Sequence, residues 1–113
     1  MENIERIENL TTPGETVVLD FTKCNHDYDC YDEMQLKMEW EDWYGHNLSA
    51  LWDILTGMDY RGDDFIIIRP RKFKNIRYGL DDNFTSQVDK ICQIFVEAQE
   101  EYHCITVRIE YVD

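Results

Sequence analysis

The chain has 113 residues, 43% hydrophobic and 13% aromatic, with 24 acidic against 11 basic residues and a net charge of −13. That length and apolar content fit one domain with a single core and exclude a disordered chain. The longest apolar runs fall far short of the roughly 20 residues needed to span a bilayer, so no membrane role is expected, and the charge argues against nucleic acid as a partner and for a basic protein.

In chain order, Met1 to Glu8 lacks the basic start and continuous apolar stretch of a secretory signal, which predicts a cytoplasmic protein. The four cysteines, Cys24, Cys30, Cys92 and Cys104, are then expected as free, partly buried thiols. Residues 1–14 read as an N-terminal extension, in which Ile4, Ile7 and Leu10 allow a short amphipathic turn before Pro13-Gly14 ends it. The β-branched run Thr16 to Phe21 predicts the first buried strand. Tyr31, Met34 and Met38, with Leu36 off their row, predict a helix from about Asp29 to Trp40.

Gly45 interrupts that pattern, and Asn47 is placed to cap a helix running to Thr56, with Gly57 as its stop. At 100° per residue, Leu48, Leu51, Trp52, Ile54 and Leu55 share one broad arc, while Ser49 and Asp53 fall opposite and point outward. Phe65-Ile66-Ile67-Ile68 is an unbroken apolar run that suits a central strand covered on both faces. Phe73 and Ile76 suggest a short helix after it, and Gly79 to Asn83 a loop with Asp81-Asp82 near the next helix start. Val88, Ile91, Cys92, Phe95, Ala98 and Tyr102 keep helical spacing over Thr85 to Tyr102, with Ser86 and Asp89 as a capping box. Ile105, Val107, Ile109 and Tyr111 alternate with polar residues, as in an edge strand. The whole is a βαβαβ order, an α/β fold with a small three-stranded parallel sheet packed with helices.

The chemistry on offer is sparse. Cys24, His26 and Cys30 are zinc-type ligands, but their spacing follows no finger or knuckle pattern, so no metal is expected. Asp27-Tyr28-Asp29 opens like a calcium loop, yet its sixth position is not Gly and Met38 stands where the bidentate Glu belongs. No phosphate loop, nucleophile elbow or carboxylate pair accompanies the Cys and His residues, so no catalytic residues, no enzyme and no cofactor are expected. Arg69, Arg71, Lys72, Lys74 and Arg77 gather five of the 11 cations into nine residues without an acid, leaving six cations against 24 acids, −18, for the rest. Against that background a solvated or internally paired basic edge is the expectation there, not a nucleic-acid site. On periodicity alone the outward Asp53 is an ordinary surface carboxylate and Trp52 a core residue.

The segment Tyr44-Gly45-His46-Asn47-Leu48-Ser49-Ala50-Leu51-Trp52-Asp53-Ile54-Leu55-Thr56-Gly57 closely resembles the central motif of the barstar family, inhibitors of the ribonuclease barnase. The resemblance spans roughly residues 15–111 by pattern, which marks 15–113 as a barstar-like inhibitor domain. It implies an immunity protein whose partner is an extracellular barnase-like ribonuclease, or a related basic toxin. It further implies that Asp53 stands in for a substrate phosphate against the cations of the nuclease pocket. By the same resemblance Trp43, Tyr44, Asn47 and Trp52 shape the contact patch, and Glu97, in Phe95-Val96-Glu97-Ala98, supplies a second acidic contact. Ser49 departs from the family pattern, which has an aspartate there. Its loss points to a partner other than barnase, to redistribution of the contact onto His46, Glu41 and Asp42, or to a barstar-fold protein that binds a non-ribonuclease toxin.

Overall fold

The computed structural model describes residues 15–38, 47–57, 63–75, 77, 79–102 and 105–112. In chain order the elements are β1 (Thr16–Asp20), α1 (Asp27–Met38), α2 (Leu48–Thr56), β2 (Asp64–Arg69), β3 (Lys74–Asn75), β4 (Gly79–Leu80), α3 (Asp82–Tyr102) and β5 (Thr106–Tyr111). Three strands make a parallel sheet in the order β1-β2-β5, so the expected α/β class and its small three-stranded sheet are both found. No helix among the described residues is long and apolar enough to cross a membrane.

Register decides which side chains meet the helices. Val17, Phe65 and Val107 lie in one row across the sheet and Leu19, Ile67 and Ile109 in the next. This face joins Met34 of α1, Leu51 and Leu55 of α2, and Val88 and Phe95 of α3 in one buried cluster, where each fully buried large aliphatic or aromatic side chain stabilises the fold by roughly 1.5–3 kcal/mol. The rings of Phe65 and Phe95 meet at 5.2 Å between centroids. The other face is only half covered: Ile66 and Ile68 are half-buried and Val18 is exposed, whereas Phe65, Ile67 and Arg69, which alternate with them, are buried. The expectation that β2 is covered on both faces is therefore corrected, because the helices gather on one side.

Side chains occupy some of the free backbone groups on both outer strands, which matters because an open edge invites pairing with another chain. On β1 the Glu33 carboxylate accepts from the Asp20 N–H at 2.9 Å and Lys37 donates to the Val18 carbonyl at 3.3 Å, the two side chains being paired at 2.8 Å. On β5 the Gln99 side chain accepts from the Val107 N–H at 2.7 Å. Thr106 also donates across the sheet to Asp64. The edge position expected for the last strand is thus observed.

Two other expectations are corrected. The segment after β2 forms a short antiparallel hairpin, Lys74 opposite Leu80 and Asn75 opposite Gly79, rather than a helix; Gly79 takes φ 89°, a conformation that side chains other than glycine's rarely adopt. Phe73 still anchors the segment, its ring edge-on to Phe84 at 4.6 Å. α3 starts earlier than its Ser86-Asp89 pair suggests, because Asp81 caps it by accepting from the Phe84 N–H at 2.9 Å. Asp89 instead binds Arg69.

Candidate functional site

α2 carries one charged side chain, Asp53, on an otherwise neutral and mainly apolar helix. Its position follows from the helix's own packing. Leu51 and Leu55 are fully buried, Ala50 and Ile54 nearly so, and Leu48 and Trp52 pack half-buried against the core. That fixes the rotation of the helix and leaves Ser49 and Asp53 exposed. Asn47 begins the helix with extended backbone and accepts from the Ala50 N–H at 2.8 Å, as its sequence position predicts. Gly57 ends it, though with extended rather than left-handed backbone (φ −76°, ψ 178°). What the site asks of Gly57 is closeness, since a Cβ there would stand 3.3 Å from the Asp53 carbonyl.

Trp52 meets Tyr102, at the end of α3, edge-on at 5.9 Å, and its carbonyl accepts from the Thr56 hydroxyl at 2.8 Å. It is neither the pure core residue of the periodicity argument nor fully free for a partner. Asp53 has no hydrogen-bond or ion-pair partner among the described residues, so a cation reaching it displaces only water. Glu97 lies on α3, the helix against which α2 packs; it is half-buried and accepts from Gln93 one turn earlier at 3.1 Å. Trp43 and Tyr44, with His46, Glu41 and Asp42, lie outside the described residues.

A cleft of about 520 Å³ opens beside the N-terminus of α2, bordered by Asn47 and Ser49 on one side and by Gln87 and Lys90 of α3 on the other, with Tyr31 of α1 also on its wall. Gln87, Lys90 and Tyr31 were not among the residues that the sequence singled out. Gln87 and Lys90 flank the apolar stripe of α3, but only the way α2 lies against α3 brings them to Ser49. Ser49 and Lys90 line the same cleft.

Among the described residues the thiols form no second centre, and Cys104 lies outside those residues. Cys30 is buried and beside Cys24; their hydrogen bond, followed by burial, pushes the Cys30 thiol far above its usual range. His26 stacks on Tyr28 at 5.0 Å. Among the described residues no three His, Cys, Asp or Glu side chains are grouped so as to hold a metal ion.

Comparison with known proteins agrees with this geometry. The family model described as Barstar (barnase inhibitor) matches residues 14–112, a span that takes in every element from β1 to β5. The chain belongs to the barstar family. Among curated proteins it is similar to "Putative ribonuclease inhibitor YrdF" of Bacillus subtilis (strain 168), with 35% identity over 72 residues that cover 63% of this chain and 70% of that one. Barstar family proteins are inhibitors, and the α2 surface is where this chain offers a rigidly mounted acid.

Proposed function

We propose that this barstar family member is a stoichiometric inhibitor, an immunity protein, that occupies the active site of a ribonuclease toxin and sets the Asp53 carboxylate where a substrate phosphate would bind. The observation that carries the reading is the exposed Asp53, without a side-chain partner among the described residues, on a helix whose opposite face is locked into the core. A ribonuclease pocket gathers Arg, Lys and His around an anion, and a carboxylate already held in place meets them with little ordering cost. The net charge of −13 supports fast encounter with such a basic partner. Asn47, Ser49, Trp52 and Glu97 complete the contact in this reading, together with Trp43 and Tyr44. The inhibitor domain is residues 15–113, it works in the cytoplasm without cofactor or catalysis, and its target is a nuclease made for export.

The test is a titration of ribonuclease activity, against a barnase-type enzyme and the nuclease encoded beside this chain. Inhibition complete at one equivalent, and lost in Asp53→Ala, is the expected result. Full inhibition by Asp53→Ala would overturn the phosphate-mimic mechanism. A second reading is favoured by one observation, the neutral Ser49 on the cleft that Lys90 also lines: the partner is a basic toxin that is not a ribonuclease and has no cation at that point. Capture of such a toxin, with no nuclease activity in the complex, would select it.

A further inference from the structure

We propose that a cavity at the carboxyl ends of the sheet strands is a binding site for a small phosphorylated organic molecule of about nucleotide size. The cavity measures about 620 Å³ and is bordered by the segments that leave β1, β2 and β5, within the usual size range of small-molecule sites. It shares no lining residue with the cleft beside α2. Open parallel sheets often hold ligands outside the carboxyl ends of their strands. Here the strand order does not reverse, so it is the chemistry of the lining that carries the assignment.

That chemistry combines cations with apolar side chains. Arg71, Lys72 and Lys74 line the cavity and, among the described residues, no Asp or Glu does, in a chain that bears 24 acids. Lys72 and Lys74 have no hydrogen-bond or ion-pair partner among the described residues. Leu80 and Val112, two of the large apolar side chains left exposed at 51% and 46%, belong to the same wall as the buried Phe73. A phosphate group suits the cations, and a flat organic body would cover the apolar wall.

The cations are held before any ligand arrives. Arg69, 2% exposed, donates to the carbonyls of Pro70 and Arg71 at 2.9 and 3.2 Å and so fixes the backbone that presents Arg71 and Lys72. The Arg71 guanidinium lies 4.3 Å from the Tyr111 ring centroid. A long polyanion fits less well than a small molecule, because beyond the cavity it meets a chain whose remaining charge is −18.

The experiment follows backbone amide shifts of the full chain during titration with AMP, adenosine, inorganic phosphate and a 12-nucleotide RNA. The expected result is saturable AMP binding with a dissociation constant below about 1 mM and shifts centred on residues 71–74 and 112. Adenosine and phosphate alone should bind at least about tenfold more weakly, and Lys72→Glu/Lys74→Glu should weaken AMP at least about tenfold. Both lysines are exposed, so this variant should keep its melting temperature. The site is overturned if AMP gives no saturable binding or binds the double variant equally well, and the assigned ligand class is overturned if phosphate alone matches AMP or the RNA binds more tightly.

Discussion

The Asn47–Gly57 helix and the Arg69–Leu80 segment display opposite charges and support them by different means. α2 offers one carboxylate from a regular element, and its foundation is apolar: Leu51 and Leu55 at zero exposure. The turn after β2 offers several cations from irregular backbone, and its foundation is itself a charge. Arg69 is buried, paired with Asp89 at 2.7 Å, in contact with the Cys92 sulfur at 3.7 Å and bonded to two carbonyls. Burial opposes its charge, but the bonds to Cys92 and Asp89 outweigh that and hold the guanidinium above even its usual range. A displayed charge on an apolar support can be removed without loosening the fold, whereas removing the buried guanidinium should loosen the segment it organises.

Substitutions can break this contrast. The largest effect is expected from Leu51→Ala, which opens a cavity under α2 and should cost about 3–5 kcal/mol in chemical denaturation. Arg69→Ala should cost about 3 kcal/mol, since it leaves the Pro70 and Arg71 carbonyls without their donors and empties buried volume. Hydrogen exchange in that variant should rise at residues 71–75 more than in α2. If Arg69→Ala melts like the parent, the turn is held by something other than its guanidinium. Asn47→Ala removes the cap and should cost about 1 kcal/mol, with faster exchange at the Ala50 amide as the local signature.

Much of this contrast was legible in the sequence on the α2 side and little of it on the other. Helical spacing alone separates Leu51 and Leu55 from Ser49 and Asp53, and Asn47 signals its cap because the interaction spans three residues. The three strands of the sheet are legible for the same reason: two are short apolar runs and the third alternates apolar with polar residues. What the sequence hides depends on distant partners. Arg69 reads as one more member of a basic stretch because its acid, Asp89, lies 20 residues away on a helix already offering it as part of a capping box. The half-covered state of Ile66 and Ile68 depends on which side of the sheet the helices choose, and the cleft at Ser49 on how α2 lies against α3. Even the earlier start of α3 at Asp82 is a competition between two adequate cap signals, settled when Asp81 also donates its N–H to the Phe73 carbonyl at 2.9 Å.

The smallest expected effect concerns pH. Partial burial raises the Asp63 pKa above its ordinary value, with Glu15 and Asp64 adding to the rise and the bond from the Glu15 N–H opposing it. Between the ordinary and the raised value the folded chain holds this proton more firmly than the unfolded one, so stability there falls as pH rises. Asp63→Asn, which keeps an acceptor for that N–H, should therefore raise the melting temperature slightly at neutral pH, by an amount within about 0.5 kcal/mol. The gain should fade in acid, where Asp63 is protonated in both states. A gain that instead grows on acidification would reverse the assigned sign.

The central claim, that α2 exists to present one negative charge to a ribonuclease, is tested most directly by the dissociation constant of Asp53→Asn against the nuclease that the parent chain inhibits. The change removes the charge and leaves the shape and the packing of Leu51 and Leu55. The account predicts binding weakened at least about 30-fold with an unchanged melting temperature; an affinity within about twofold of the parent would contradict it.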